Sequence, residues 1–136
     1  LPGPARGILE NALAAGFSLI IATNAIFPET AIRERLAWIN CQDLPFAFIT
    51  TFEKMHFCKP NPYYYQEILD ILQISPRNCL MIGNDPEEDL TAAILGMKTC
   101  LVTDYLVPRE KPAHPPNYSC RLTELPGLLA DLAPAG

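Results

Sequence analysis

Four short apolar runs alternate with longer stretches in which apolar residues recur every three or four positions, and this alternation strongly constrains the fold. The runs cover residues 17–22, 46–50, 79–83 and 99–103. Three of them are almost continuously apolar, which is typical of parallel strands whose two faces are both covered by helices. The alternation therefore predicts an α/β fold with a doubly wound parallel sheet.

Helices are predicted before the first strand, between the strands and after the last of them. Three of these stretches open with a proline, which a helix accepts in its first turn because that N–H has no partner there. The predicted helices span residues 5–15, begin at Pro28, Pro62 and Pro86, and span residues 122–132 after a proline-rich loop at 108–116. The predicted buried stripes are Ile32, Leu36 and Ile39 in the second helix and Tyr65, Ile68, Leu69 and Leu72 in the third.

Length and composition narrow the classes of function. The chain has 136 residues, 49% of them apolar, which suits a single domain over residues 1–136 with a substantial core. A net charge of −5 argues against a nucleic-acid partner, which usually meets a basic surface. No apolar run reaches the roughly 18 residues of a membrane span, so no membrane partner is expected. Five cysteines without a Cys-x-x-Cys pair disfavour a zinc site and indicate a reduced, cytoplasmic protein.

Polar residues follow three of the four predicted strands, at the edge where open parallel sheets bind their ligands. The Thr23 hydroxyl and the Asn24 amide can donate hydrogen bonds to phosphoryl oxygens, and Lys59 supplies a compact positive charge. Asp85 and Asp89 carry the hard oxygen atoms that Mg²⁺ prefers, four residues apart. These residue types predict a site for a phosphate and a divalent cation.

Each of these residues also has a simpler structural interpretation. A threonine after a strand commonly caps a turn, as Thr23 could, and a lysine before a proline, such as Lys59, is commonly solvated. Acidic residues at 85–89 suit the start of a helix by charge alone. His56 is assigned to loop packing, and tyrosines 63–65 to the surface and core of a helix. The functional interpretation depends on the order and spacing of the motifs taken together.

In that order, three motifs resemble those of the haloacid dehalogenase superfamily of phosphohydrolases. Residues 20–24 resemble its second motif, an apolar strand ending in serine or threonine, and residues 58–62 resemble its third, a lysine before proline and a helix. Residues 81–89, with Gly-Asn-Asp and a further aspartate four positions on, resemble the fourth. Residues 92–99 resemble the turn into the family's fifth strand. The resemblance covers residues 1 to about 105.

The resemblance implies hydrolysis of a small phosphorylated metabolite through an aspartyl-phosphate, with Mg²⁺ as cofactor. It implies that Thr23 and Asn24 bind phosphoryl oxygens and that Lys59 offsets negative charge. It also implies that Asp85 and Asp89 form the metal site, in which Asp85 ligates the ion and the four-residue spacing lets Asp89 brace it. Alternatives are a 2-haloacid dehalogenase, which needs no metal, a non-catalytic binding or regulatory module, and an unrelated flavodoxin-like or receiver-like domain.

Two departures from the family pattern shape the prediction. Asn84 stands where many members carry the first acid of the fourth motif, so the metal is assigned to Asp85. The family's first motif, Asp-x-Asp-x-Thr, and its cap do not occur in these residues. In the family, that motif supplies the nucleophile, the acid/base and most of the metal site, and it lies on the central strand, so we interpret the sequence as the C-terminal part of a longer hydrolase. We expect it to be inactive alone and to pair with its own N-terminal segment or another chain.

Overall fold

The computed structural model describes residues 3–110 and 114–134. Helices and parallel strands alternate along most of this part of the chain, which confirms the predicted α/β class. The elements are α1 (Ala5–Ala14), β1 (Leu19–Ile21), α2 (Glu29–Trp38), β2 (Phe46–Ile49), α3 (Pro62–Leu72), β3 (Leu80–Gly83), β4 (Lys98–Val102), β5 (Tyr118–Cys120) and α4 (Leu125–Asp131). Short 3-10 helices cover Pro76–Asn78, Leu90–Leu95 and Leu122–Glu124.

The chain divides into two compact units, each with a parallel sheet of its own. The first unit comprises Leu1–Lys54 and Thr123–Gly136 and holds β1 paired with β2. The second comprises Met55–Leu122 and holds the strands in the order β3, β4, β5. Within the described residues, β1 and β3 each pair with one other strand, β2 and β4 respectively.

The first unit is built on a small core between α2 and β2. Ile32 and Leu36, four residues apart on α2, are buried together with Cys41 and Ile49. Ile39 was predicted to extend this stripe, but it is 37% exposed. The reason is that α2 ends at Trp38, so the next residue leaves the helical periodicity. Partly buried residues of α1, β1 and the adjoining loops pack against this cluster, namely Ala5, Leu9, Ile21, Phe27, Leu44 and Phe46.

The second unit packs α3 and the 3-10 helix Leu90–Leu95 together. The α3 helix begins where the Asn61 side chain accepts a hydrogen bond of 2.9 Å from the Tyr63 backbone N–H, with Pro62 in the first turn. Its buried residues are Tyr64, Tyr65, Ile68 and Leu69. Three of these were predicted. Tyr64 is buried although the predicted buried stripe does not include it. Leu72, which the stripe includes, is only half-buried because it is the last residue of the helix.

The segment after β3 is not the α-helix predicted to begin at Pro86. Residues 86–89 form a turn, and Leu90–Leu95 is a 3-10 helix that ends at Gly96, whose φ of 92° suits glycine. The carboxylates of Asp85 and Asp89 accept hydrogen bonds from backbone N–H groups of this segment. The Asp85 bonds follow the pattern of a helix N-cap, whereas the Asp89 carboxylate bonds back to the Asn84 and Asp85 N–H groups that precede the turn.

Two further differences concern the C-terminal third. β5 was not predicted, because three residues with a serine in the middle, directly after the proline-rich loop, carry no strand pattern. The segment predicted as a helix over 122–132 is a 3-10 turn followed by α4, which contacts α1. Part of the predicted loop 108–116 lies outside the described residues. No helix in the described ranges is long and apolar enough to cross a membrane.

Candidate functional site

In the first unit, Thr23 and Asn24 lie just beyond the carboxyl end of β1, with Ala22 between Ile21 and Thr23, because the strand ends one residue earlier than predicted. The Thr23 carbonyl accepts a hydrogen bond of 2.6 Å from the Thr50 hydroxyl, and the Thr50 N–H donates to the Ile21 carbonyl at 3.0 Å. The Asn24 carbonyl accepts from the Ile26 N–H at 2.8 Å. Because Thr50 is fully buried at the end of β2, these bonds fix the backbone at the carboxyl end of β1.

In the second unit, Lys59 and Asp89 form a buried ion pair. The Lys59 Nζ lies 2.7 Å from the Asp89 Oδ1, and the two side chains are 9% and 5% exposed. The other carboxylate oxygen of Asp89 accepts the backbone N–H groups of Asn84 at 3.1 Å and Asp85 at 3.0 Å. A buried ion pair is tolerated when further hydrogen bonds satisfy its atoms, as these do. Asp89 therefore connects the lysine to the loop that follows β3.

Gly83 lets the Asp89 carboxylate reach this position. A Cβ atom on residue 83 would lie 2.0 Å from the Asp89 Oδ2 and 2.3 Å from its Cγ. Any side chain at residue 83 would therefore overlap the carboxylate. The Gly-Asn-Asp sequence motif thus has a steric basis: its glycine leaves room for the aspartate six positions later.

Asp85 is held by backbone and by an arginine. Its Oδ1 accepts the backbone N–H groups of Glu87 at 2.9 Å and Glu88 at 3.1 Å. The Arg109 guanidinium donates from Nε to Oδ1 at 3.0 Å and from Nη2 to Oδ2 at 2.6 Å. The arginine's hydrogen bonds, followed by the two backbone bonds, hold the pKa of Asp85 below its usual range although burial opposes this. Asp85 is consequently a carboxylate at neutral pH.

Arg109 and Tyr65 are site residues that sequence reasoning missed. Arg109 lies in the segment assigned to a surface loop, and no local pattern marks it. Tyr65 was assigned to the core alone, but its hydroxyl donates to the Glu88 carbonyl. Burial, and secondarily the charge of Asp89, raise the pKa of this tyrosine well above its usual range. Tyr65 therefore remains a hydrogen-bond donor that ties α3 to the turn at 86–89.

Asn84 and His56 make contacts of a structural kind. The Asn84 side-chain amide donates to the Tyr105 carbonyl at 2.9 Å, and its backbone carbonyl accepts the Val107 N–H at 2.9 Å. Asn84 thus holds the segment that leads to Arg109. His56 lies against Glu67 of α3, through its ring Nδ1 and through a backbone N–H bond of 2.8 Å. This contact is consistent with the loop-packing interpretation of His56.

The donor chemistry of Asp85 suits a hard cation, because Mg²⁺ commonly binds one or two carboxylates together with water and phosphate oxygens. Its Oδ1 accepts from two backbone N–H groups and from the Arg109 Nε, whereas its Oδ2 accepts from the Arg109 Nη2. Asp89 fits a bracing role, since both its oxygens already accept hydrogen bonds from Lys59 and the backbone. Among the residues that the structure describes, no three acidic, histidine or cysteine side chains converge.

Comparison with known proteins places the chain in a family. A family model described as haloacid dehalogenase-like hydrolase matches residues 3–95. YfnB of Bacillus subtilis, named a HAD-hydrolase and bound to magnesium, is 26% identical over 93% of this chain and 54% of that chain, with a TM-score of 0.77.

Two further structures share the fold. A predicted phosphoglycolate phosphatase from Haemophilus somnus is 19% identical over 96% of this chain and 54% of that chain, with a TM-score of 0.73. The L-2-haloacid dehalogenase from Xanthobacter autotrophicus is 18% identical over 96% of this chain and 61% of that chain, with a TM-score of 0.77. The chain thus spans between half and two thirds of the length of these three proteins. By its family match and its fold, the chain belongs to the haloacid dehalogenase-like hydrolases.

Proposed function

We propose that this chain is part of a Mg²⁺-dependent phosphatase that hydrolyses a small phosphorylated metabolite through an aspartyl-phosphate. The observation that carries the proposal is the buried Lys59–Asp89 pair, which is held to the loop after β3 by two backbone N–H groups. A lysine fixed in this way offers a positive charge that needs no reorganisation as negative charge builds up on a phosphoryl group. Asp89 acts as its positioning residue.

Thr23 and Asn24 are proposed as donors to phosphoryl oxygens. Their support is their position at the carboxyl end of a parallel strand, where α/β folds bind ligands, and the hydrogen bonds that fix this backbone. The Thr23 hydroxyl and the Asn24 N–H are donors of the kind that phosphoryl oxygens accept.

The nucleophile in this proposal belongs to a polypeptide segment that this sequence does not contain, because Asp-x-Asp occurs nowhere in it. One carboxylate oxygen of that aspartate attacks phosphorus, the bond to the leaving oxygen breaks, and the leaving oxygen takes a proton. Water then cleaves the aspartyl-phosphate and releases inorganic phosphate. Pairing with an N-terminal segment or another chain supplies the nucleophile, and the chain alone is inactive.

Asp85 is proposed to hold Mg²⁺ in part, through Oδ2, the oxygen that accepts from the Arg109 Nη2. Bound there, the ion would neutralise charge on the phosphoryl group. Support for Mg²⁺ comes from the carboxylate chemistry of Asp85 and from YfnB, which is bound to magnesium. A reducing, cytoplasmic location is part of the same proposal, and it is consistent with five free cysteines.

The test compares hydrolysis of an aryl phosphate, with and without Mg²⁺, by this chain alone and by a longer product that includes an Asp-x-Asp segment. We expect activity only in the longer product and a loss of at least about a hundredfold in Lys59→Ala. Lys98→Ala is the matched control, because Lys98 is an exposed lysine of the same unit. Near-normal turnover in Lys59→Ala, or activity in the present chain alone, would contradict the proposal.

A second candidate is a 2-haloacid dehalogenase. It is favoured by the Arg109–Asp85 pair, because a carboxylate already neutralised by a guanidinium needs no metal. Halide release from a 2-halo acid by the longer product, unchanged by a metal chelator, would support this candidate over the phosphatase. Activity on neither substrate class would favour a non-catalytic binding module.

A further inference from the structure

The Arg109–Asp85 contact brings a cation of the chain itself to the proposed metal ligand. The guanidinium donates to both oxygens of the carboxylate, at 3.0 and 2.6 Å. The Asp85 side chain is 9% exposed, whereas that of Arg109 is 34% exposed. A bidentate pair of this kind is among the stronger hydrogen-bonded contacts of proteins. The negative charge of the Asp85 carboxylate is therefore already balanced by Arg109 before any metal ion binds.

The segment that carries Arg109 is attached independently of that contact. Asn84 holds it through the Tyr105 carbonyl and the Val107 N–H, each at 2.9 Å. Arg109 can therefore leave Asp85 while these two bonds remain.

A cavity of about 450 Å³ is lined in part by Arg109. Its lining also includes the apolar residues Pro86, Leu90, Leu106 and Pro108. A displaced arginine side chain has space here, because its aliphatic stem can pack on apolar walls while the charged group stays at the opening. Releasing Asp85 thus requires a change of side-chain conformation and no disruption of the core.

We propose that Arg109 is a built-in competitor of the divalent cation at Asp85. The guanidinium and the metal ion require the same oxygen, Oδ2, and two cations at adjacent positions repel each other. Arg109 therefore lowers the affinity of the site for metal and must move away before the ion binds. This inference rests on the proposed function in one respect, the assignment of Asp85 as the metal ligand.

The test is the affinity for Mn²⁺ of the longer product that includes the Asp-x-Asp segment, measured by the electron paramagnetic resonance signal of the free ion. Arg109→Gln should bind Mn²⁺ at least about tenfold more tightly than the unchanged chain, given the strength of charge-assisted pairs. Arg77→Gln is the matched control, because it removes the same charge from an exposed position of the same unit and should leave the affinity unchanged. Arg109→Lys keeps the positive charge but loses the paired donors of the guanidinium, so an intermediate affinity for Mn²⁺ is expected.

Asp85→Asn separates failure of this inference from failure of the metal assignment. Equal affinity in the unchanged chain, Arg109→Gln and Arg77→Gln, with loss of binding in Asp85→Asn, would overturn the competition and leave Asp85 as the ligand. Undiminished binding in Asp85→Asn would overturn the metal assignment and the inference with it. An Arg109→Gln chain that is folded by circular dichroism and binds no Mn²⁺ would also overturn the inference.

Discussion

Gly83 and Asp89 are in such close contact that a single methyl group at residue 83 would lie 2.0 Å from the Asp89 Oδ2. Gly83→Ala must therefore displace the carboxylate from the Asn84 and Asp85 N–H groups and strain its pair with Lys59. We expect this substitution to lower the free energy of unfolding by about 2 kcal/mol or more, as measured by urea denaturation.

Gly7→Ala is the control for this prediction. Gly7 lies within α1, and a Cβ there meets no atom within 4 Å, so alanine should stabilise the helix by up to about 1 kcal/mol. If Gly83→Ala were as stable as the unchanged chain, the close contact between Gly83 and the Asp89 carboxylate would be contradicted.

The buried ion pair gives a second prediction. Lys59→Met should lower the free energy of unfolding by about 3 kcal/mol, because it leaves the Asp89 charge buried without its lysine. Lys98→Met, at an exposed position, should change it by less than about 0.5 kcal/mol. The double variant Lys59→Met/Asp89→Leu should lose less than the sum of its two single variants, which a double-mutant cycle would show. Additive losses would mean that the two residues do not interact.

Tyr65 should make the free energy of unfolding depend on pH in the alkaline range. Its pKa is raised in the folded chain, chiefly by burial, so the folded state keeps a proton that the unfolded state loses above about pH 10. The contribution is fully present below that pH and declines as the pH rises. Above about pH 10, the free energy of unfolding should fall by about 1.4 kcal/mol per pH unit through this group. Urea denaturation at several pH values should therefore give a flatter profile for Tyr65→Phe, whereas Tyr63→Phe, at a 64% exposed residue, should keep the original slope. Equal slopes for both variants would contradict the prediction.

Much of the second unit follows from local sequence pattern. The continuous apolar run of β3 and the proline at the start of α3 predict these elements, and helical spacing predicts that Tyr65, Ile68 and Leu69 are buried. The placement of Lys59 in a loop and of Asp89 shortly after β3 is also visible in the sequence. Their contact across thirty residues is not, because it depends on how the two loops fold.

The features that sequence reasoning missed depend on non-local contacts. Arg109 reaches Asp85 across a separation of 24 residues, from a loop whose conformation depends on hydrogen bonds to Asn84. The 3-10 conformation of Leu90–Leu95 follows a turn in which two carboxylates accept backbone N–H groups, whereas proline and acidic residues alone suggest an ordinary helix start. β5 is defined by its pairing with β4 and has no pattern of its own.

Thiol reactivity provides the last prediction, because the cysteines differ sharply in environment. Cys100 is fully buried on β4 with its sulfur 3.7 Å from that of Cys120, and burial, together with a hydrogen bond to that neighbour, raises its pKa well above its usual range. The thiolate is the reactive form, so Cys100 should resist an aromatic disulfide reagent at pH 8 until the chain unfolds. The exposed Cys58 should react quickly, and Cys58→Ser should remove this fast phase. Modification of Cys100 in the folded chain at the rate of Cys58, detected by peptide mass mapping, would contradict the buried β4–β5 contact.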